Sequence, residues 1–280
     1  MSLTWSVVAA VLFGALLHAS WNALVKSSAD KALDTAVIHL VGSFIGLPLL
    51  LLTGLPPVAA WPYIGASVVI HIGYYIALTG AYKHGDLGLT YPLMRGSAPM
   101  LVALACTWGL GESLSPLAWS GILAVSAGVL VLGVGKHAFE APKAVYFALA
   151  NAVIIALYTV VDALGVRASG HALQYVATLF LLDGWPFALI VFLQRRTDFM
   201  PYARKRWPVA LGGAIASLGS YGIALWAMTQ APVAIVAALR ETSVLFAALL
   251  GVWLLKEVMT PRRVIGTCAI LAGVMALRLA

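Results

Sequence analysis

Charge is what this chain of 280 residues lacks: it has 17 Lys and Arg and 10 Asp and Glu, against 62% hydrophobic residues. That balance excludes an ordinary soluble domain, in which about a quarter of the residues are charged. Cysteine is scarce too. Cys106 and Cys268 both fall in apolar runs, where packing is the better reading than a disulfide or a metal site. His18, His39 and His71 have no spacing that favours a metal either. No phosphate-binding G-x-x-x-x-G-K is present, because Lys136 follows Gly135 but Leu130 stands where the first glycine belongs. Nothing implies a cofactor. The first apolar run is too long for a signal peptide, with no basic segment before it and no clean small-residue cleavage site after it.

Apolar runs of about 20 residues, the length that crosses the hydrocarbon layer as a helix, recur along the chain. Ten spans are predicted, at 4–26, 33–53, 62–82, 88–110, 116–135, 143–166, 172–194, 208–229, 233–255 and 261–279. Trp61-Pro62, Ser115-Pro116, Ala141-Pro142, Trp207-Pro208 and Thr260-Pro261 place proline at or near a first helical turn, where its missing N–H costs nothing. Trp61 and Trp207 also suit the membrane interface.

The net charge of +7 is distributed by topology and forms no nucleic-acid patch. Thirteen of the basic residues lie in loops after odd-numbered spans, among them Lys83, Arg195, Arg196, Arg204, Lys205 and Arg206. Arg167 and Arg278 stand alone on the opposite side. By the positive-inside rule the odd loops are cytoplasmic and both termini face outward.

The last two basic residues, Arg95 and Arg240, sit inside apolar runs and expose a duplication. At their separation Trp108 pairs with Trp253, Glu112 with Glu257, Pro116 with Pro261, Gly121 with Gly266 and Gly128 with Gly273. Between 95–132 and 240–277, 13 of 38 positions are identical. Pro48 in the second span also sits much as Pro186 does in the seventh. The chain divides at 1–138 and 139–280 into two five-span halves of one membrane domain. Five is odd, so the second copy enters the membrane inverted, and a duplicated membrane protein of this kind is most often a transporter. The expected fold class is an all-α polytopic membrane protein of ten transmembrane helices in two inverted repeats.

Each half closes on an acidic residue, a short turn and a Gly-rich last helix: Gly111-Glu112 with Pro116, Gly121 and Gly128, and Lys256-Glu257 with Pro261, Gly266 and Gly273. In this the whole chain resembles the drug/metabolite transporter superfamily, EamA type. Lys256 departs from the small residue usual at that place. The resemblance implies alternating-access movement of small metabolites across a bacterial-type inner membrane, often as amino-acid efflux. A YddG-like exporter of amino acids and amphipathic drugs is the branch expected. Its partners would be a small-molecule substrate and the lipid bilayer, with the chain a monomer or homodimer.

Ionisable side chains inside a span cost about 2.5–3.5 kcal/mol at a helix centre and so face the bundle interior and find partners. Arg95 and Arg240 either bind a substrate carboxylate, act as gates, or form permanent structural ion pairs. Inversion puts them toward opposite membrane faces, which favours two unequal gates over one site. Glu241 follows Arg240 but points about 100° away from it, so each should pair elsewhere. Pro92, Gly96 and Pro99 distort the span that carries Arg95, as a cavity-lining or merely kinked helix would require.

Two stripes follow helical i, i+3, i+4 spacing: His18, Trp21 and Asn22, and His71, Tyr74 and Tyr75. Either they line a pocket for varied amphipathic substrates or they hydrogen-bond between helices. Tyr158, Tyr221 and Trp226 are further wall candidates. Asp162, Asp183 and Glu241 are the acids placed clearly within spans, for coupling, gating or neutralising an arginine. The stripes Gly121, Ala124, Gly128 and Gly266, Ala269, Gly273 are assigned to close helix packing in the scaffold or a dimer. An intramembrane enzyme with a His/Asp site would need its groups at one depth, and these are scattered. A channel would need polar rings from an oligomer.

Overall fold

The computed structural model describes residues 3–85, 87–133, 141–255 and 260–280. Among these the secondary structure is helical: α1 (Trp5–Lys26), α2 (Lys31–Thr53), a 3-10 turn (Val58–Ala60), α3 (Trp61–His84), α4 (Leu87–Gly109), α5 (Pro116–Gly133), α6 (Pro142–Ser169), α7 (Ala172–Gln194), α8 (Arg196–Gln230), α9 (Val233–Arg240), α10 (Thr242–Leu255) and α11 (Pro261–Leu279). Eight helical stretches among the described residues are long and apolar enough to cross a membrane, which makes a polytopic membrane protein. The boundary near 138, Lys136, Lys256 and Glu257 lie outside the described residues.

Helix starts follow local chemistry. Thr4, Asp30 and Thr260 cap α1, α2 and α11 through side-chain oxygens that accept from Val7, Leu33 and Arg263 N–H groups. Ser115 does the same for Ala118 at the head of α5. Pro62 and Pro142 occupy the first turns of α3 and α6.

The structure revises two of the predicted spans. The run expected at 208–229 begins at Arg196, so Pro201 and Pro208 lie inside a helix of 35 residues and Pro208 does not start it. Phe199 is buried against Leu33 and Val37 of α2, with Tyr202 beside it, and this docking keeps the basic first turns helical despite the two prolines. The run expected at 233–255 is broken at Glu241 into α9 and α10. There the Glu241 N–H bonds back three residues to Ala238 O at 3.1 Å, and the Thr242 hydroxyl donates to Leu239 O at 2.7 Å. An apolar run gives no sign of such a break, because side-chain hydroxyls and a partner helix cause it.

Two further predicted spans, 88–110 and 261–279, are helices but fall outside the eight apolar stretches. Pro92, Arg95 and Pro99 dilute α4, and Arg262, Arg263 and Arg278 crowd the ends of α11.

Packing is organised by close glycine crossings. A Cβ on Gly128 of α5 would stand 2.8 Å from the Gly266 carbonyl oxygen of α11, and one on Gly266 would stand 2.8 Å from the Gly128 oxygen. Gly121 and Gly273 oppose each other likewise, at 3.0 and 2.7 Å. Because the earlier glycine of one helix meets the later glycine of the other, α5 and α11 run antiparallel. A second crossing joins α2 to α7. Gly46 makes room for the backbone of Ala177 and Leu181, and Gly184 makes room for His39 and Ser43. Gly46 answers Gly184 as Ala177 and Leu181 answer His39 and Ser43, all at one constant offset. The Ser43 hydroxyl adds a 2.9 Å bond to Phe180 O.

Apart from the Ser43 hydroxyl, these contacts are with backbone, which cannot step aside. Gly128→Val should therefore overpack α5 against α11 and cost about 1–3 kcal/mol. Thermal melting of the detergent-solubilised chain reads the loss. Gly65→Val, where an added Cβ meets nothing within 4 Å, should melt close to the parent.

Between the crossings, α3 packs on α6, α1 on α8, α4 on α5 and α6, and α1 on α9 and α10. The largest cluster of buried side chains runs from Val7 and Val11 through Val102, Tyr175 and Leu225 to Leu239. Arg95, Asp162 and Glu241 are buried within this fold.

Candidate functional site

The break between α9 and α10 faces α4, and there the buried charges gather. Arg95 Nε lies 2.9 Å from Glu241 Oε2, and Arg95 Nη2 donates to Ser243 Oγ at 3.4 Å. Both members of the ion pair are buried, Arg95 to 7% and Glu241 to 4% exposure. Two charges taken from water must be nearly matched, since each alone costs several kcal/mol to bury.

Arg240 extends the other way, its guanidinium 5.4 Å from the centre of the Tyr221 ring on α8. A cation over an aromatic face is held electrostatically and keeps its N–H groups available to another acceptor. Arg95, Tyr158, Thr159, Arg240 and Glu241 line one small cavity of about 10 Å³, room for roughly a single water. The two arginines therefore line one cavity, although their places in the sequence set them at different depths. Position along a span gives the depth of the backbone, whereas a long arginine side chain carries its charge well away from its own Cα.

Around the chamber the polar side chains form three connected groups. In the first, the Tyr175 hydroxyl of α7 donates to Asp162 Oδ1 at 2.8 Å and the Tyr221 hydroxyl donates to Asp162 Oδ2. Asp162 is fully buried. In the second, His71 stacks on Tyr158 at 4.5 Å and meets Tyr74 edge-on at 6.4 Å. In the third, the Tyr75 hydroxyl lies 3.3 Å from His39 Nδ1, and the Tyr75 ring stacks on Phe187 at 4.8 Å. Trp21 meets His39 edge-on and donates from Nε1 to His18 Nδ1 at 3.3 Å. His18 is within electrostatic range of both Arg95 and Arg240.

Other predicted site residues are placed differently. The Asn22 amide donates to the His18 carbonyl of its own helix at 2.8 Å, so it is used locally. Trp226 is 38% exposed, a face away from buried Leu225, and lines no part of the chamber. Asp183 is half-buried in α7 near Tyr75, and its Oδ1 has no hydrogen-bond partner among the described residues.

The structure also reveals polar contacts at the two ends of the bundle that sequence reasoning missed. At the α1–α2 end, Asp34 takes two bonds from Arg206, at 2.8 and 3.2 Å, and one from the Tyr202 hydroxyl at 2.9 Å. Beside it Arg195 bridges Asp30 at 3.0 Å and Asp198 at 3.0 Å. Bonds to Asp198 and Asp30 hold the Arg195 guanidinium above its ordinary pKa, so it stays charged.

At the α4–α5 end, Gly111 adopts a left-handed φ of +66° after α4, and the Glu112 N–H returns to Cys106 O at 3.1 Å. That turn delivers Glu112 Oε1 to the Arg167 guanidinium at 3.3 Å and to the Val233 N–H at the head of α9 at 3.1 Å. Arg167 also donates to Met228 O at 3.0 Å. The recurrence of an acid after each last turn was the available signal for Glu112. The partners of Asp34 lie too far along the chain for any local pattern to reveal them.

No curated protein matches the chain. A solved structure described as "Crystal structure of protein" superposes with a TM-score of 0.79 at 20% identity, over 98% of this chain and 96% of its own. The two share a fold. Residues 142–279 match the EamA-like transporter family, whose members are membrane transporters of small molecules. Through that half, the chain belongs to the EamA-like transporter family, part of the drug/metabolite transporter superfamily.

Proposed function

We propose that the protein is a secondary transporter in which two inverted five-helix halves, 1–138 and 139–280, rock about the chamber between Arg95 and Arg240. The observation that carries this reading is that chamber: two guanidiniums and Glu241 line one small cavity at a helix break, with room for about one water. Interrupted backbone at membrane depth is tolerated where it lines a cavity. The paired crossings, Gly121–Gly273 with Gly128–Gly266 and Gly46–Ala177 with Gly184–His39, support two halves related by a two-fold axis in the membrane plane. They also support ten membrane crossings, with α9 and α10 counted together.

In this reading the substrate is an amphipathic metabolite with a carboxylate, an amino acid first among them. Its carboxylate competes with Glu241 for Arg95, and its apolar part lies against Tyr74, Tyr158 and Tyr221. The polar contacts of Asp34 and of Glu112 close the two ends in turn. The basic loops make the α1–α2 end cytoplasmic.

Reconstitution into liposomes with a panel of amino acids, with and without a pH gradient, tests the proposal. A saturable flux accelerated by substrate on the opposite side is the expected result. Absence of flux for every amino acid would remove the YddG-like branch, and chemically altered substrate would point to an enzyme. Tags at both termini should react from outside intact cells, and protection of both would overturn the orientation.

A further inference from the structure

Three acids are buried in the described bundle, and they differ in what holds them. Asp34 is bound to Arg206 and Glu241 to Arg95. Adding a proton to either would break an ion pair and leave a guanidinium unmatched. Asp162 has no lysine or arginine within ion-pair distance among the described residues. Its two oxygens are held by the Tyr175 and Tyr221 hydroxyls.

A phenol hydroxyl both donates and accepts. Both tyrosines donate while the carboxylate is ionised, and one can turn to accept once Asp162 carries a proton. Asp162 can therefore change protonation state without breaking an ion pair, and it keeps two hydrogen bonds in either state. The groups facing it are Tyr175 of α7, Tyr221 of α8, Ser67 and His71 of α3, and Tyr158 on its own helix. Beyond Tyr221 and Tyr158 stand Arg240 of α9 and Arg95 of α4.

The local charges balance. Arg95 and Arg240 supply two positive charges, and Glu241 and Asp162 supply two negative. A substrate carboxylate entering this low-dielectric space adds a third negative charge, unless an ammonium on the same molecule offsets it. Tyr221 connects the two events, because its hydroxyl holds Asp162 while its ring carries Arg240.

We propose that Asp162 is the proton-binding site of this carrier, taking one proton from water when a net-anionic substrate occupies the chamber and releasing it when the substrate leaves. The proton adds to a carboxylate oxygen, and the Tyr221 hydroxyl turns from donor to acceptor. The inference rests on the transporter reading of the same chamber.

Infrared difference spectra of the full chain in lipid, recorded across a pH series, test the site without any substrate. A protonated-carboxyl band that appears as pH falls should be lost in Asp162→Asn and kept in Glu241→Gln and Asp183→Asn. Its midpoint should move in Tyr221→Phe, which also serves should Asp162→Asn fold poorly. Persistence of the band in Asp162→Asn, an unmoved midpoint in Tyr221→Phe, or no such band at any pH where the protein stays folded would overturn the proposal. Flux of 3-phenylpropionate and of phenylalanine into liposomes separates this failure from that of the carrier reading. If neither moves, the carrier reading is in question while the infrared result still decides the proton site. If the monoanion moves without proton uptake, the coupling fails and the carrier stands.

Discussion

Arg95→Ala is expected to abolish transport and to destabilise the protein by about 3–5 kcal/mol, because it leaves the Glu241 carboxylate buried without its cation. The expected size follows from burial: the pair is shielded from water on both sides, so no solvent replaces the missing guanidinium. The double variant Arg95→Ala/Glu241→Ala removes both charges and should recover much of that stability, since replacing a whole buried pair is often close to neutral. Transport should remain lost, because in the proposed reading Arg95 binds the substrate carboxylate. Denaturation in detergent together with liposome flux separates the two effects. A double variant as unstable as the single one would mean that Glu241 leans on something other than Arg95. A double variant that still transports would remove Arg95 from the substrate site.

Arg240→Ala should do the opposite. Its guanidinium lies over the Tyr221 ring with no carboxylate in ion-pair contact among the described residues, an arrangement worth about 0.5–2 kcal/mol. The fold should survive with a small loss, while flux falls to background. Unchanged uptake would make the arginine a packing element. Arg240→Lys is a sharper version, since an ammonium keeps the charge but not the planar fork that grips a carboxylate. A partial recovery of flux is expected there, seen as a raised KM.

These two residues also measure how far the sequence could be read. Their echo, with matching Glu, Pro and Gly, is the ground for the duplication we propose, because such residues rarely coincide by chance in an apolar chain. Helix existence followed from run length, and four starts followed from proline. Side-chain reach was not legible: Arg95 and Arg240 meet in one chamber although their places in the spans put them at different depths. The break at Glu241 was hidden for a related reason, since it depends on Thr242 and on Arg95 from another helix. Asp162 carried no sign of its tyrosine cradle, because Tyr221 lies 59 positions away along the chain. Glycine stripes could be assigned to close packing, but their partners, Gly121 with Gly273 and Gly128 with Gly266, emerge only once the helices are antiparallel.

The central claim is that the two ends of the bundle open alternately about one chamber. Distances between spin labels report this directly, at Ala29 and Lys205 on the α1–α2 end and at Ser113 and Gln230 on the α4–α5 end, all four being exposed. When the amino acid identified by flux is added in lipid, one distance should lengthen as the other shortens. Both distances fixed, or both lengthening together, would contradict a carrier that rocks between two closures.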